Sequence, residues 1–416
     1  MKKSIFLILP AVMLMLASCM DSAGRNGGAG SVRVVLPGSS RDVSGSDRAD
    51  SYTVSLLKGG KVIESQTAVP GGAVEFNELD AGSYTVDVEA TLSGALSGVG
   101  SAEVAVTEGE TASCTVLMNR VYTADAAVEY IESLEAGSYK VIVAGAIDDA
   151  GIEGIKTALN ENNINKPLVS LDLGRTTGLS SIGAAKFQNC TALSGIVLPE
   201  GIGSIKENAF EGCTSLASVT IPDTVNEIGQ SAFRDCSALK SIEIPNSVTT
   251  IASGVFRDCT ALSAIVLPEG IDSINESAFE GCTSLASVTI PDTVTAIGQY
   301  AFCDCSALKS VVIPNNVTKI SAAVFQSCTS LESAVISNTA TSIGIDAFNS
   351  CTSLKTVVIP VSITSIGDKA FESCGSLETV YYGGTKAEWG GIKFVGSSSN
   401  DLSNVTIICS DATITP

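Results

Sequence analysis

Histidine is absent from all 416 residues. That excludes Ser–His–Asp triads, histidine general acid–base catalysis and the common catalytic zinc sites. Positive charge is scarce as well. The chain has 24 Lys and Arg against 44 Asp and Glu, a net charge of −20. Nucleic acid and anionic membrane surfaces attract proteins through basic patches, so this balance argues against both as partners. Long apolar runs are missing too. The one at the N-terminus, within "MKKSIFLILPAVMLMLASCM", is about a dozen residues, short of the roughly 20 that a spanning helix needs. Two lysines before it and small residues after it make residues 1–18 a secretory signal peptide. Its removal takes Lys2 and Lys3 with it.

What the chain does have is a period. Cys190, Cys213, Cys236, Cys259, Cys282, Cys305, Cys328, Cys351 and Cys374 follow one another at steps of 23 residues. Phenylalanine keeps the step three residues earlier, from Phe187 to Phe371, and leucine three residues later, from Leu193 to Leu377. Isoleucine fills another column without exception, from Ile205 to Ile366. Within a unit, "SVTIP" alternates, with Val219 and Ile221 on one face and Ser218 and Thr220 on the other, and reads as a short strand ended by Pro222. "IGQSAFRDC" is too short and glycine-rich for a long helix and reads as a 3₁₀ or one-turn segment. One such unit cannot bury its apolar side alone, whereas stacked units can, which is a solenoid. Ten strands between Leu168 and Tyr381 would span roughly 45 Å at strand spacing.

The unit L-x-x-(I/V)-x-(I/L)-P-x-x-(V/I)-x-x-I-x-x-x-(A/V)-F-x-x-C resembles the BspA-like, or treponemal-type, leucine-rich repeat. The resemblance covers residues 168–384. "LDLGRTTGLSSIG" is similar to the entry of such arrays and "YYGGTKAEW" to their exit. The inward asparagine of the wider leucine-rich family is missing: Gly201, Thr224 and Ser247 take its place, so no asparagine ladder is expected. The resemblance implies a surface protein that attaches to host matrix proteins or to other bacteria.

"LASC", ending at Cys19, resembles the bacterial lipobox. It implies that Cys19 becomes the lipidated first residue, with residues 19–30 as a flexible tether and a membrane-anchored, exported lipoprotein as the result. Residues 31–119 alternate in short runs split by glycine-rich turns, with "KGGK" as a hairpin signal. They read as a β-sandwich, immunoglobulin-like or prealbumin-like, serving as a binding module or as a spacer. Residues 120–167 carry two helical patterns around the strand "YKVIVAG" and read as an α/β N-terminal cap, with residues 385–416 as the C-terminal cap. The fold class is therefore multidomain: an N-terminal β-sandwich, then a leucine-rich-repeat solenoid with short parallel strands.

Thirteen cysteines in an exported chain would ordinarily suggest disulfides. Ladder neighbours about 5 Å apart with parallel Cβ vectors do not suit one, so the nine repeat thiols are expected to be free and to pack as small hydrophobes. No cofactor and no metal are expected. Residues 198–233 and 267–302 match at 30 of 36 positions, offset by three units, an internal duplication. Lengthening enlarges a surface without changing its chemistry, which benefits a binding or spacing protein more than an enzyme. The expected binding surface is the concave face, where the outward strand column reads Val197, Thr220, Glu243, Val266, Thr289, Val312, Val335, Val358 and Tyr381 beside a column of Gly, Ser, Ala and Thr. The function expected is a protein-binding scaffold or adhesin for an extracellular protein; the alternative is a structural component of the envelope, with the array as a spacer.

Overall fold

The structure, a computed structural model, describes residues 30–35, 49–70, 72–92, 95–107, 110–113, 119–161, 167–396, 402 and 404–416. Cys19, Cys114, the signal peptide and the tether up to residue 29 lie outside the described residues, and Gly30, the last residue expected in the tether, opens the first strand. The chain forms two compact units, Met1–Thr123 and Ala124–Pro416.

In the first unit the alternating runs become strands on two sheets. Gly30–Val35 pairs antiparallel with Ala73–Leu79 and parallel with Thr111–Ser113. The second sheet runs Lys61–Ala68, Ser51–Lys58, Gly82–Leu92, Ala95–Val106 and Asn119–Tyr122, all antiparallel. The core between the sheets is the inward set of each alternation, among them Val32, Val54, Leu56, Phe76, Val86 and Val104. "KGGK" is the expected two-residue hairpin: Lys58 pairs with Lys61, and Gly59 and Gly60 sit at φ 59° and 78°. Two consecutive left-handed residues match the right-handed twist of the flanking strands, and glycine takes that conformation without a Cβ penalty.

The second unit opens with helix Ala124–Glu132, strand Ser138–Ala146 and helix Asp149–Glu161. Each helix buries one stripe, Ala127 and Ile131 in the first and Ile152, Ile155, Ala158 and Leu159 in the second. The strand pairs in parallel with Leu168–Thr177, which pairs with Leu193–Val197, so the cap is stitched to the first repeat through backbone hydrogen bonds.

Each following 23-residue coil has three sides. The strand side carries the expected parallel ladder at Ser218–Thr220, Ser310–Val312, Ser333–Val335, Thr356–Ile359 and Thr379–Tyr382. A second ladder, which the alternation pattern did not reveal, is centred on the isoleucine column. Ser204–Ile205 pairs with Glu227–Ile228, Thr250–Ile251 with Ser273–Ile274, and Ser342–Ile343 with Ser365–Ile366. The third side is the turn around phenylalanine, where the expected single helical turn is instead a tight turn with two left-handed residues. They stand two residues before and two after every phenylalanine, for example Ala185 and Asn189 around Phe187 and Tyr300 and Asp304 around Phe302. This bend lets alternate N–H groups point along the stack: Ala185, Phe187 and Asn189 donate to the carbonyls of Glu207, Ala209 and Glu211 in the next coil.

The core is three ladders deep. The nine phenylalanine rings are buried and stack with centroids 5.2–5.9 Å apart and interplanar angles of 1–18°. The repeat cysteines are free and buried. They do more than fill space: each thiol from Cys213 to Cys374 donates to the carbonyl of the phenylalanine 26 residues earlier, at 2.9–3.2 Å. Alanine or valine could pack there but not donate. A hydroxyl ladder stands where the asparagine ladder is missing. Thr224, Thr293 and Ser362 donate to the carbonyls of Ile202, Ile271 and Ala340, and Asn316 to that of Asp292.

The C-terminal cap closes the stack. Helix Lys386–Gly390 begins with a capping box in which Thr385 accepts from the Glu388 N–H and Glu388 accepts from the Thr385 N–H. That hydrogen bond holds the Glu388 carboxyl below its ordinary pKa. Lys393–Phe394 extends the isoleucine ladder, and Thr406–Ile408 extends the strand ladder, which Thr413–Ile414 then covers antiparallel.

Candidate functional site

The outward strand column is presented by alternation. In Thr356–Ile359, Val357 and Ile359 are buried while Val358 points out; in Thr379–Tyr382, Val380 and Tyr382 are buried while Tyr381 points out. The same logic leaves Val266 79% and Val312 64% exposed. Val335, Val358 and Tyr381 are also exposed, as are Thr220, Glu243 and Thr289, while Val197 is half-buried.

The structure brings most of these side chains side by side. Val197 is the Cα partner of Thr220, and Glu243 of Val266. From Val312 the register is unbroken: Val312, Val335, Val358 and Tyr381 are successive partners. It does not pair Thr220 with Glu243, or Thr289 with either neighbour, because regular strand is lost in the coils of Ile242, Ile265 and Val288. The expected run of ten strands is thus two ladders with a single isolated bridge, Glu243 to Val266, lying between them.

The repeat spacing missed some members. Ile408, 36% exposed, is the partner of Tyr381 and extends the stripe. It stands 27 rather than 23 residues on, because the cap helix intervenes. Val361, three residues after Val358, is exposed beside it. At the other end Asp172 is the partner of Val197 and is ion-paired with Lys140 at 3.5 Å, which makes the stripe polar there.

Two flanks differ along the array. Before the stripe runs Lys309, Glu332, Lys355 and Glu378, a column of alternating charge. Lys355 and Glu332 meet at 2.9 Å. Their hydrogen bond raises the lysine and lowers the carboxyl from their ordinary pKa values. After the stripe, the amino-terminal coils place the exposed Glu200, Asp223, Asn246, Glu269 and Asp292, all acidic but Asn246, whereas the later coils place Asn315, Asn338, Val361 and Gly384. The apolar half, Val312 to Ile408, therefore has charge-compensated and neutral borders, while the earlier half has a negative one.

Among the described residues no group of three or more Cys, Asp or Glu is placed to hold a metal ion. Burial pushes the repeat thiols up, to about 12 at Cys190 and Cys374 and further in the interior, which is the opposite of what a nucleophile requires. Cys303, the one extra thiol within the repeats, is buried and is likewise pushed up to about 12. Among the described residues no helix is long and apolar enough to cross a membrane.

A search of curated proteins returns no match. Among solved structures the chain is similar to a leucine rich cell surface protein from Faecalibacterium prausnitzii, at 24% identity over 63% of this chain and 86% of that one, with a TM-score of 0.32. It is also similar to a leucine-rich repeat protein from Bacteroides ovatus, at 24% identity over 64% and 79%, with a TM-score of 0.42. A Leucine Rich Repeat protein of T. pallidum matches at 28% identity over 44% and 77%, with a TM-score of 0.32. The BspA type Leucine rich repeat region matches in six copies across residues 180–293 and 272–400, more than half of the sequence, and the chain belongs to that family.

Proposed function

We propose that the chain is a cell-surface lipoprotein, held by lipid on Cys19, whose repeat array is a protein-binding scaffold: an adhesin for an extracellular protein such as a host matrix protein, or for other cells. Repeat arrays of this kind are in general non-catalytic scaffolds. The observation that carries the reading is the exposed apolar stripe from Val312 through Val335, Val358 and Tyr381 to Ile408. These side chains lie on a hydrogen-bonded sheet in a protein of net charge −20. A contiguous apolar strip rimmed by polar residues marks an interaction surface. Its ladder suits an extended protein segment laid across the strands. The small hydroxyls Ser310, Ser333, Thr356 and Thr379 run alongside and leave the strip unobstructed.

The test is charge placement on the stripe. Val266→Lys, Val312→Lys and Val358→Lys are combined and the circular dichroism spectrum is compared with wild type. Binding to immobilised matrix proteins and to whole cells is then measured. A folded triple variant should lose binding at least tenfold. If it binds as tightly as wild type, the outward strand face is not the site. The duplication of residues 198–233 at 267–302 favours one second reading, an envelope component in which the array is a spacer. Added protease separates the two, since an adhesin must be cleaved on intact cells.

A further inference from the structure

The ladders that stitch one coil to the next are not equally complete. On the isoleucine side most junctions carry the same pair of backbone hydrogen bonds. Asn226 N–H and Gly229 N–H donate to the carbonyls of Gly203 and Ile205. Asp272 and Asn275 donate to Thr249 and Ile251, Thr295 and Gly298 to Asp272 and Ile274, and Thr341 and Gly344 to Thr318 and Ile320. At two junctions, among the described residues, the pair is missing. Thr249 and Ala252 do not reach Asn226 and Ile228, and Thr318 and Ser321 do not reach Thr295 and Ile297. The strand side is open at the same two places, since neither Thr220 with Glu243 nor Thr289 with Val312 is a strand pair; it is open between Val266 and Thr289 as well, but there the isoleucine-side pair is intact. What crosses the second junction there is a 3.3 Å hydrogen bond from Lys309 to Ala286.

The turn side is intact at both. Ser231, Phe233 and Asp235 donate to Ser253, Val255 and Arg257 at the first junction, and Tyr300, Phe302 and Asp304 to Ala322, Val324 and Gln326 at the second. The phenylalanine stack also continues across them, although Phe233 and Phe256 are the widest pair at 5.9 Å. Each junction therefore keeps its full backbone ladder along one side only, as a book does at its spine; the other two sides are crossed chiefly by side-chain bonds, from Ser247 to the Val225 carbonyl at the first and from Asn316 to the Asp292 carbonyl at the second. The two lie 69 residues apart, the offset of the internal duplication. Both follow the same "SVTIPDTV" coil. Ser321 meets the Ile297 carbonyl with its hydroxyl instead of its N–H.

We propose that these two junctions are flexures: the array bends and opens there about the phenylalanine side, and it moves as three stiff blocks, Ala124 to about Ile228, Ile242 to Ile297, and Val311 to the C-terminus. In a linear array stability is a sum of nearest-neighbour interfaces, so the array parts first where an interface has fewest bonds. Each copy of the duplicated block then carries its own joint, and lengthening the array by one block adds reach and a hinge together. The uninterrupted apolar stripe from Val312 to Ile408 falls entirely within the third block.

Hydrogen exchange on the intact wild-type chain tests this, with protection factors corrected for intrinsic rates. The comparison is internally matched. Thr249 and Thr318 are exposed like Asp272 and Thr341, and Ala252 and Ser321 are half-buried like Asn275 and Gly344, so the backbone bond is what differs. The four junction amides should be at least tenfold less protected than those four counterparts, while Phe233 and Phe302 on the turn side keep the protection of Phe256. Equal protection within twofold at both junctions would overturn the proposal. So would loss of protection at Phe233 and Phe302 as well, because the junctions would then separate wholly instead of hinging.

Discussion

Alkali should unfold this array at a pH set by its thiols. In the folded chain the nine repeat cysteines hold their protons far above the ordinary value of 9.0, chiefly because burial disfavours the thiolate. Neighbouring thiols raise several of them further, and the backbone N–H of the preceding cysteine acts the other way. In the unfolded chain the same thiols ionise near 9. Below that pH both states bind the proton, and the thiols add no pH dependence. Above it the unfolded state releases protons that the folded state keeps, so stability falls as pH rises. Each thiol contributes about 1.4 kcal/mol of loss per pH unit beyond 9. Nine of them at pH 10 amount to on the order of 10 kcal/mol, which rivals the 5–15 kcal/mol stability of a typical domain. The urea midpoint, followed by circular dichroism under a reducing agent, should be flat from pH 7 to 8.5 and fall steeply above 9. The array should unfold without urea between about pH 10 and 11. Replacing Cys236, Cys259 and Cys282 with alanine should remove about a third of the alkaline slope. A midpoint that holds steady to pH 10.5, or a slope that the triple variant leaves unchanged, would refute the reasoning.

Two further outcomes follow from the same structure. Phe256 is fully buried between Phe233 and Phe279, so Phe256→Ala should cost about 3–5 kcal/mol and split urea unfolding into two transitions, with Phe256→Leu costing roughly 1.5 kcal/mol; a single transition shifted by less than 1 kcal/mol would contradict the stack as a source of stability. Cys19→Ser should move the protein from the detergent phase to the aqueous phase in a partitioning assay, and unchanged partitioning would sink the lipid anchor.

How far the site could be read from the sequence varies by residue. The column from Val197 to Tyr381 was legible because period and alternation together say which residue of each coil faces outward, and exposure of Val266, Val312 and Val358 follows from that alone. Ile408 was not, because four extra residues of cap shift it out of phase. The thiol donors were half legible: a column that is always cysteine, never alanine, asks for a donor, but the carbonyl of the preceding phenylalanine is 26 residues away and only coiling brings it near.

The sequence by itself determined the repeat, the inward columns, the KGGK turn and the class of fold, because each is a matter of local period or of one residue's conformational range. Whether a coil closes all three ladders onto its neighbour was decided in three dimensions. The same seventeen letters stand at 209–225 and 278–294, yet Ser218–Thr220 is strand and Ser287–Thr289 is not. The first copy pairs with Leu193–Val197, a five-residue strand anchored on the cap, while the second follows a coil without regular strand at Ile265 and does not pair with Ser310–Val312 after it. A strand exists only when its neighbour supplies the other half of the hydrogen bonds, and identical residues with different neighbours settle into different backbones.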